Sequence, residues 1–347
     1  MSARPRRKRV TMRRLVIVTT ACALLAAVVA LLAVLVGRNG TKLELLSLGA
    51  FDRDSPEHAI VAQVRVPRVL ATLLVGGALA GAGCALQALL RNPLAEPFTL
   101  GISSGSSLAA VLAIKLGAAE AFGSAGLGGA AMLGAIAALG AVMAMSRVGR
   151  QLPPATIVLV GVAISMFCGA ASLLVMYTSD YTDVNAMLAW MIGGFDSIWL
   201  VRVQQFAVPI VVGLAVLVVY GRELNALAAG SEAAASVGVA VGRTQVVVFA
   251  TASLLVGAAI AIAGPVGFIG LVVPHALRAL LGPDHRVLLP ASIFGGALVL
   301  TICDTLARTV LAGNHLPTGA VTPVLGVPVF VAILVRGKRQ AAMWSMK

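Results

Sequence analysis

Residues 65–107 read RVPRVLATLLVGGALAGAGCALQALLRNPLAEPFTLGISSGSS, and this stretch decides the fold. Two arginines bracket a proline. The apolar run 69–90 that follows has the length of a membrane-spanning helix, which needs about 20 such residues. Asn92-Pro93 and Glu96-Pro97 then break any helix passing through, because proline lacks the N–H donor and its ring clashes with the preceding turn. A Gly/Ser-rich segment turns apolar again at Leu108. The pattern is a span, a polar break and a second span.

The rest of the chain repeats it. Of 347 residues, 59% are hydrophobic and only 11% charged, against roughly 25% charged in soluble chains. Ten apolar runs are legible, at about 15–36, 69–90, 100–117, 127–146, 155–177, 205–220, 244–263, 266–281, 287–306 and 319–335. The expected fold is all-α, a polytopic membrane protein with about ten transmembrane helices. The third and eighth runs are short and rich in glycine, serine or proline. The 37 glycines suit helices that approach closely in lipid. The first run is too long for a signal-peptide core and lacks a convincing cleavage site, so it reads as a retained span.

The net charge of +13 does not point to nucleic acid, because the basic residues gather at the ends. Seven lie within residues 1–14 and four within 336–347. With both termini cytoplasmic, 18 of the 26 Lys/Arg fall on inner segments, the bias expected of an inner membrane protein. Two polar outer connections follow from this topology. One is 38–66, with Asp52, Asp54, Glu57 and His58. The other is 180–204, where Trp190 and Trp199 suit the interface and Gly193-Gly194-Phe195 interrupts. Cys22, Cys84, Cys168 and Cys303 all sit in apolar runs, without zinc spacing or a disulfide framework.

The inner loop 221–243 reads GRELNALAAGSEAAASVGVAVGR. Glu223–Ala229 is a run of good helix formers that Gly230 closes. Ser231 is placed to cap a second short helix, Glu232–Val237, which Gly238 ends. Two short helices with small alanine faces can fit a groove on another protein. Further on, Asp304 and Arg308 are four apart, so on a helix they share a face and can pair. Span five carries Gly161, Ser165, Gly169, Ser172 and Met176 in one helical stripe. That stripe is either a packing seam or the wall of a path. His275 beside Pro274 reads as a packed residue rather than a metal ligand, and His58, His285 and His315 are isolated; no metal site is expected. No G-x-x-x-x-G-K-[ST] occurs, so the chain has no P-loop of its own. Nor does H-E-x-x-H or G-x-S-x-G, so no enzyme constellation is visible. The spans carry almost no carboxylates, which disfavours an ion-driven carrier.

Three separated motifs share one resemblance. They are R-x-P-R with Q-x-x-x-x-N-P-L-A-E-P and L-G-x-x-x-G (65–105), G-x-x-G-F-I-G-L-x-x-P-H-x-x-R with DHR and LLP (264–290), and LPTGAVTPVLGVPVF (316–330). In this order they resemble the FecCD-type permeases of ABC importers for iron–siderophore complexes, haem and cobalamin. The resemblance covers nearly all of the chain after span one. It implies a single permease domain over 1–347, with a basic cytoplasmic tail at 1–14, and an inverted repeat of spans two to five and seven to ten. It implies ATP-driven import, most directly of a ferric siderophore, with haem or cobalamin as alternatives, and no cofactor.

The implied partners are a second permease, cytoplasmic ATPase subunits, an extracytoplasmic binding protein and membrane lipid. The implied docking residues for the binding protein are Arg65, Arg68 and Arg308; interface anchoring is the alternative for each. ATPase coupling would fall to Glu223, Leu227, Gly230, Glu232, Ala233, Ala234 and Gly238. The path would run along the span-five stripe, and the gate would be Leu152, Pro153 and Pro154, although some relatives carry Ser/Thr there. His315 stands where the family commonly has glutamate.

Overall fold

The computed structural model describes residues 12–39, 42–45, 55–149, 152–196, 198, 200–310 and 316–345. The basic segment before Met12, the outer residues 46–54, Trp199 and His315 lie outside them.

The first span is α1, Met12–Leu35. A two-stranded antiparallel hairpin follows, β1 Val36–Asn39 and β2 Lys42–Leu45, a small exception to the all-α expectation. The outer connection then turns helical early. Helix α2, Pro56–Ile60, is capped by Ser55, whose side chain accepts the His58 N–H. A wide π-turn, Val61–Arg65, joins it to α3, Val66–Leu89. Pro67 lacks an N–H and crowds the turn before it, which is where a helix admits such a bulge.

Helix α3 stops where the prolines require. Arg91 takes a left-handed conformation, φ 51°, and the Arg91 and Asn92 N–H groups bond back to the Ala88 and Gln87 carbonyls. A 3₁₀ turn at Pro97–Leu100 leads into α4, Ile102–Lys115. Next come α5, Ala118–Met145, and α6, Pro154–Tyr177. The connection expected over 180–204 is largely helical. It contains α7, Tyr181–Ile192, and α8 begins at Leu200 and runs to Val219. Apolar patterning alone misses α7 because it has only 12 residues and its first turns carry Thr182, Asp183 and Asn185. Helices α9, Gly221–Ala229, and α10, Ser231–Ser236, form the inner loop. Helices α11, Val241–Ala263, α12, Ile269–Leu281, α13, His285–Thr309, and α14, Thr318–Ser345, complete the described chain.

Seven of these segments are long and apolar enough to cross a membrane, and three shorter apolar helices, Ile102–Lys115, Ile269–Leu281 and Thr318–Ile333, supply the rest of the ten. Helices α3 and α11 are the most enclosed and α1 the least, with only Ala26 and Ala33 of α1 buried. Close approach between spans depends on glycine. A Cβ on Gly76 would stand 2.3 Å from the Gly296 carbonyl oxygen, and one on Gly83 would stand 2.0 Å from that of Gly270. No side chain fits either contact, so α3 meets α13 and α12 backbone to backbone.

The packing partners repeat. Helix α3 lies against α13 as α11 lies against α5, and α4 contacts α5 and α6 as α12 contacts α13 and α14. Both second members, α4 and α12, are short, and both follow a residue with positive φ, Gly101 and Phe268. If each apolar helix crosses once, α3 and α11 run in opposite directions, as an inverted repeat requires.

Candidate functional site

Polar residues collect at two ends of the bundle. The end that the charge bias assigns to the outside is called outer here, and the other inner.

At the outer end Arg68, one residue past Pro67, sits on α3 and turns into the protein. Its Nε donates to both carboxylate oxygens of Asp304, at 3.1 and 2.9 Å, and its Nη2 donates to Oδ1 at 2.9 Å. This is the two-pronged geometry that a guanidinium and a carboxylate favour. The third nitrogen, Nη1, donates to Asp196 Oδ1 at 2.9 Å. Thr318 Oγ1, at the start of α14, donates to Asp304 at 2.8 Å. One carboxylate on α13 therefore joins α3 and α14, and through Arg68 the α7–α8 link. The Asp304 side chain is 2% exposed and that of Arg68 8%, but that of Asp196 is 47% exposed.

Arg65 and Arg308 point elsewhere. Arg65 Nη1 donates to the Val34 carbonyl at 3.2 Å, and Arg308 Nη2 donates to the Ala33 carbonyl. Both thus cap the last turn of α1, whose carbonyls have no helical partners and carry the negative end of the helix dipole. The pair expected between Asp304 and Arg308 is present at 3.9 Å, but it is secondary to Arg68.

Two of the three arginines that the resemblance implies for docking expose little surface. Arg68 and Arg308 are buried, because a buried carboxylate needs a paired cation and α1 needs a cap. Three guanidinium groups and two carboxylates leave this cluster with one surplus positive charge among the described residues. Sequence reading missed Asp196 and Thr318, since no spacing links them to Arg68.

The inner end is built differently. Leu224 and Leu227 of α9 and Ala234 of α10 are buried. Asn225 fixes the pair to α13: its Nδ2 donates to Asp284 Oδ1 at 2.8 Å, and its Oδ1 accepts the His285 N–H at 2.8 Å. Asp284 also caps α13 and pairs with Arg286 at 2.7 Å. The Arg286 hydrogen bond, foremost, holds the Asp284 carboxyl down at about 2. Ser231 does not cap α10 as expected; it lies inside the helix, and Gly230 precedes it at φ 122°, a conformation left to glycine. Gly238 ends α10 as expected, at φ 84°. The Gly238 and Val239 N–H groups close the turn on the Ala235 and Ala234 carbonyls. Glu232, Ala233 and Gly238 are exposed, Gly230 and Glu223 half-buried. Val237, which sequence reading did not single out, is 71% exposed at the tip.

The span-five stripe does not present one open face. Gly161 and Ser172 are buried in the protomer, Ser165 and Met176 are half-buried and Gly169 is exposed. Gly161 is packed beneath Gly101 at the start of α4, which fits a packing seam. The outward face of α6 carries Leu159, Met166, Phe167 and Leu173 instead. Leu152 of the expected gate is buried, while Pro153 and Pro154 are half-buried and start α6. His275 packs edge-on to Phe330 at 5.4 Å. No cluster of three metal-ligating side chains occurs among the described residues.

Residues 12–336 match the model of the FecCD transport family, and the chain belongs to that family. It is 39% identical over 295 residues to an uncharacterized ABC transporter permease protein of Bacillus subtilis, covering 84% of this chain and 83% of that one. It is 39% identical over 281 residues to a cobalamin import system permease of Halobacterium salinarum, covering 80% of this chain and 74% of the relative. Identity to a vitamin B12 import system permease of Escherichia coli is 39% over 279 residues, with 80% and 84% covered. A solved metal-chelate type ABC transporter in an inward-facing conformation superposes with a TM-score of 0.82 at 29% identity, covering 92% of this chain and 99% of that one.

Proposed function

We propose that the chain is the membrane subunit through which an ATP-driven importer moves a cobalamin-class metal chelate across a bacterial cytoplasmic membrane. The observation that carries the substrate class is the near-full-length similarity to two cobalamin permeases. This moves the substrate from the ferric siderophore implied by the motifs to the alternative named beside it.

The inner pair α9–α10 is the surface for the ATPase. Its apolar side is used up in holding the pair down, and Glu232, Ala233, Val237 and Gly238 remain for a partner. The arginine cluster receives a carboxylate of the binding protein, with Arg65 and the Nη1 edge of Arg68 as donors; Arg308 acts by holding α1. A second permease faces α6, whose half-buried Ser165 and exposed Gly169 border the path, with Leu152–Pro154 at its inner mouth. Both termini lie in the cytoplasm.

Uptake by cells lacking the protein tests the substrate. Loss of cobalamin uptake with siderophore and haem uptake intact is the expected result. The reverse pattern restores the siderophore reading, and loss of an unrelated solute alone removes the chelate reading.

A further inference from the structure

The two edges of the Arg68 guanidinium are held very differently. The edge formed by Nε and Nη2 is locked to Asp304, buried among α3, α13 and α14. The Nη1 corner makes one bond, to a carboxylate whose side chain is 47% exposed. Asp196 forms no other hydrogen bond among the described residues, and it belongs to a link whose backbone is pinned. Phe195 beside it is 1% exposed. The Gly194 N–H donates to the Ala263 carbonyl, and the Gly193 carbonyl accepts the Gly319 N–H. Asp196 can therefore leave Arg68 by rotating its own side chain, with the fold undisturbed.

We propose that Asp196 is an internal stand-in for the binding protein's carboxylate. It satisfies the outward corner of Arg68 while the permease is unattended and is displaced when an acidic residue docks. The proposal rests on the docking role given above to Arg65 and Arg68. Its physical basis is exchange of like for like. One carboxylate replaces another on the same N–H, so the arginine is never left buried with an unsatisfied donor. The half-exposed pair is weak enough to be exchanged, whereas Asp304 stays in place throughout. The stand-in also sets selectivity. A neutral surface can offer Nη1 an acceptor but not the charge of Asp196, and a basic surface offers neither, so an acidic partner displaces Asp196 with the least loss.

The test uses the permease and its ATPase reconstituted in lipid nanodiscs, with the binding protein as analyte. Asp196→Asn should raise affinity about two- to fivefold by removing the competing charge, and it should steepen the fall of affinity with salt. Arg65→Glu should lower affinity in the same assay. Unchanged or weaker binding by Asp196→Asn while Arg65→Glu weakens it overturns the stand-in and leaves the docking site standing. Unchanged binding by both variants overturns the docking site itself. Arg68 labelling by phenylglyoxal, read by mass spectrometry, gives a measure independent of affinity. Labelling should quicken in Asp196→Asn and be blocked by the bound partner. Equal labelling of variant and parent would overturn the proposal.

Discussion

The two ends of the bundle hold charge in opposite ways. Within the arginine cluster at the outer end, Arg68, Asp304 and Arg308 are buried, while Asp196 is half-exposed and Arg65 half-buried. At the inner end the ion pair Asp284–Arg286 is partly exposed, with side chains 27% and 39% open, and the helices it supports display Glu232 and Val237 to the surroundings. A buried pair is costly to break and fixes geometry. An exposed pair contributes little and leaves the surface free for a partner. The outer end is thus a rigid frame with a small exposed opening, and the inner end is a presented shape on a light tether.

The hardest test of this contrast is Asp304→Ala. It strips Arg68 of its buried partner and should destabilise the protein by about 3–5 kcal/mol, seen as a lower thermal midpoint of the detergent-purified protein. The double variant Arg68→Met with Asp304→Ala should recover much of that loss. A cost below about 1 kcal/mol would mean that water reaches the cluster, and the contrast would collapse. Gly238→Val comes next. A β-branched side chain in the left-handed conformation costs roughly 1–2 kcal/mol, confined to the α10 turn. The thermal midpoint should hardly move while co-purification of the ATPase is lost; retained co-purification would take this turn out of the interface.

A smaller effect is expected from Asn225→Ala. It removes three hydrogen bonds between α9 and the start of α13 and should loosen the inner pair by about 1 kcal/mol, measurable as faster amide exchange in α9 with α3 unaffected. The smallest concerns acid. The Asp284 carboxyl titrates at about 2 in the folded protein against 3.8 ordinarily. Its folded-state value is depressed, so its contribution is complete above about 4 and is lost as pH falls toward 2. Because the pair is partly exposed, less than roughly 1 kcal/mol is at stake. Unfolding midpoints of the parent and Asp284→Asn should differ at pH 5 and converge near pH 2. A constant difference would assign the effect to something other than the carboxylate charge.

Much of the inner end could be read along the chain, because its determinants are local. Gly230 and Gly238 stop helices through their own backbone freedom, and the helix-forming run between Glu223 and Ala229 needs no distant help. The one local error, Ser231 as a cap, came from a serine that the Gly230 turn carries inside α10. The outer end was far less legible. The resemblance singled out Arg65, Arg68 and Arg308, but their orientation depended on Asp304, Asp196 and the end of α1. Arg68 is 236 residues from Asp304 and 128 from Asp196. Likewise the small residues of span five announced a close contact without saying whether α4 or a partner would fill it.

By itself the sequence determined the membrane class, the ten apolar helices, the breaks at the prolines and the family. Each of these depends on hydropathy, proline and glycine acting over a few residues or on a motif in fixed order. Only the tertiary structure decided which arginine is buried, which carboxylate it holds and which face of α6 is open. Those outcomes depend on which helices meet, and a desolvated charge must take whatever partner that packing brings within about 3 Å.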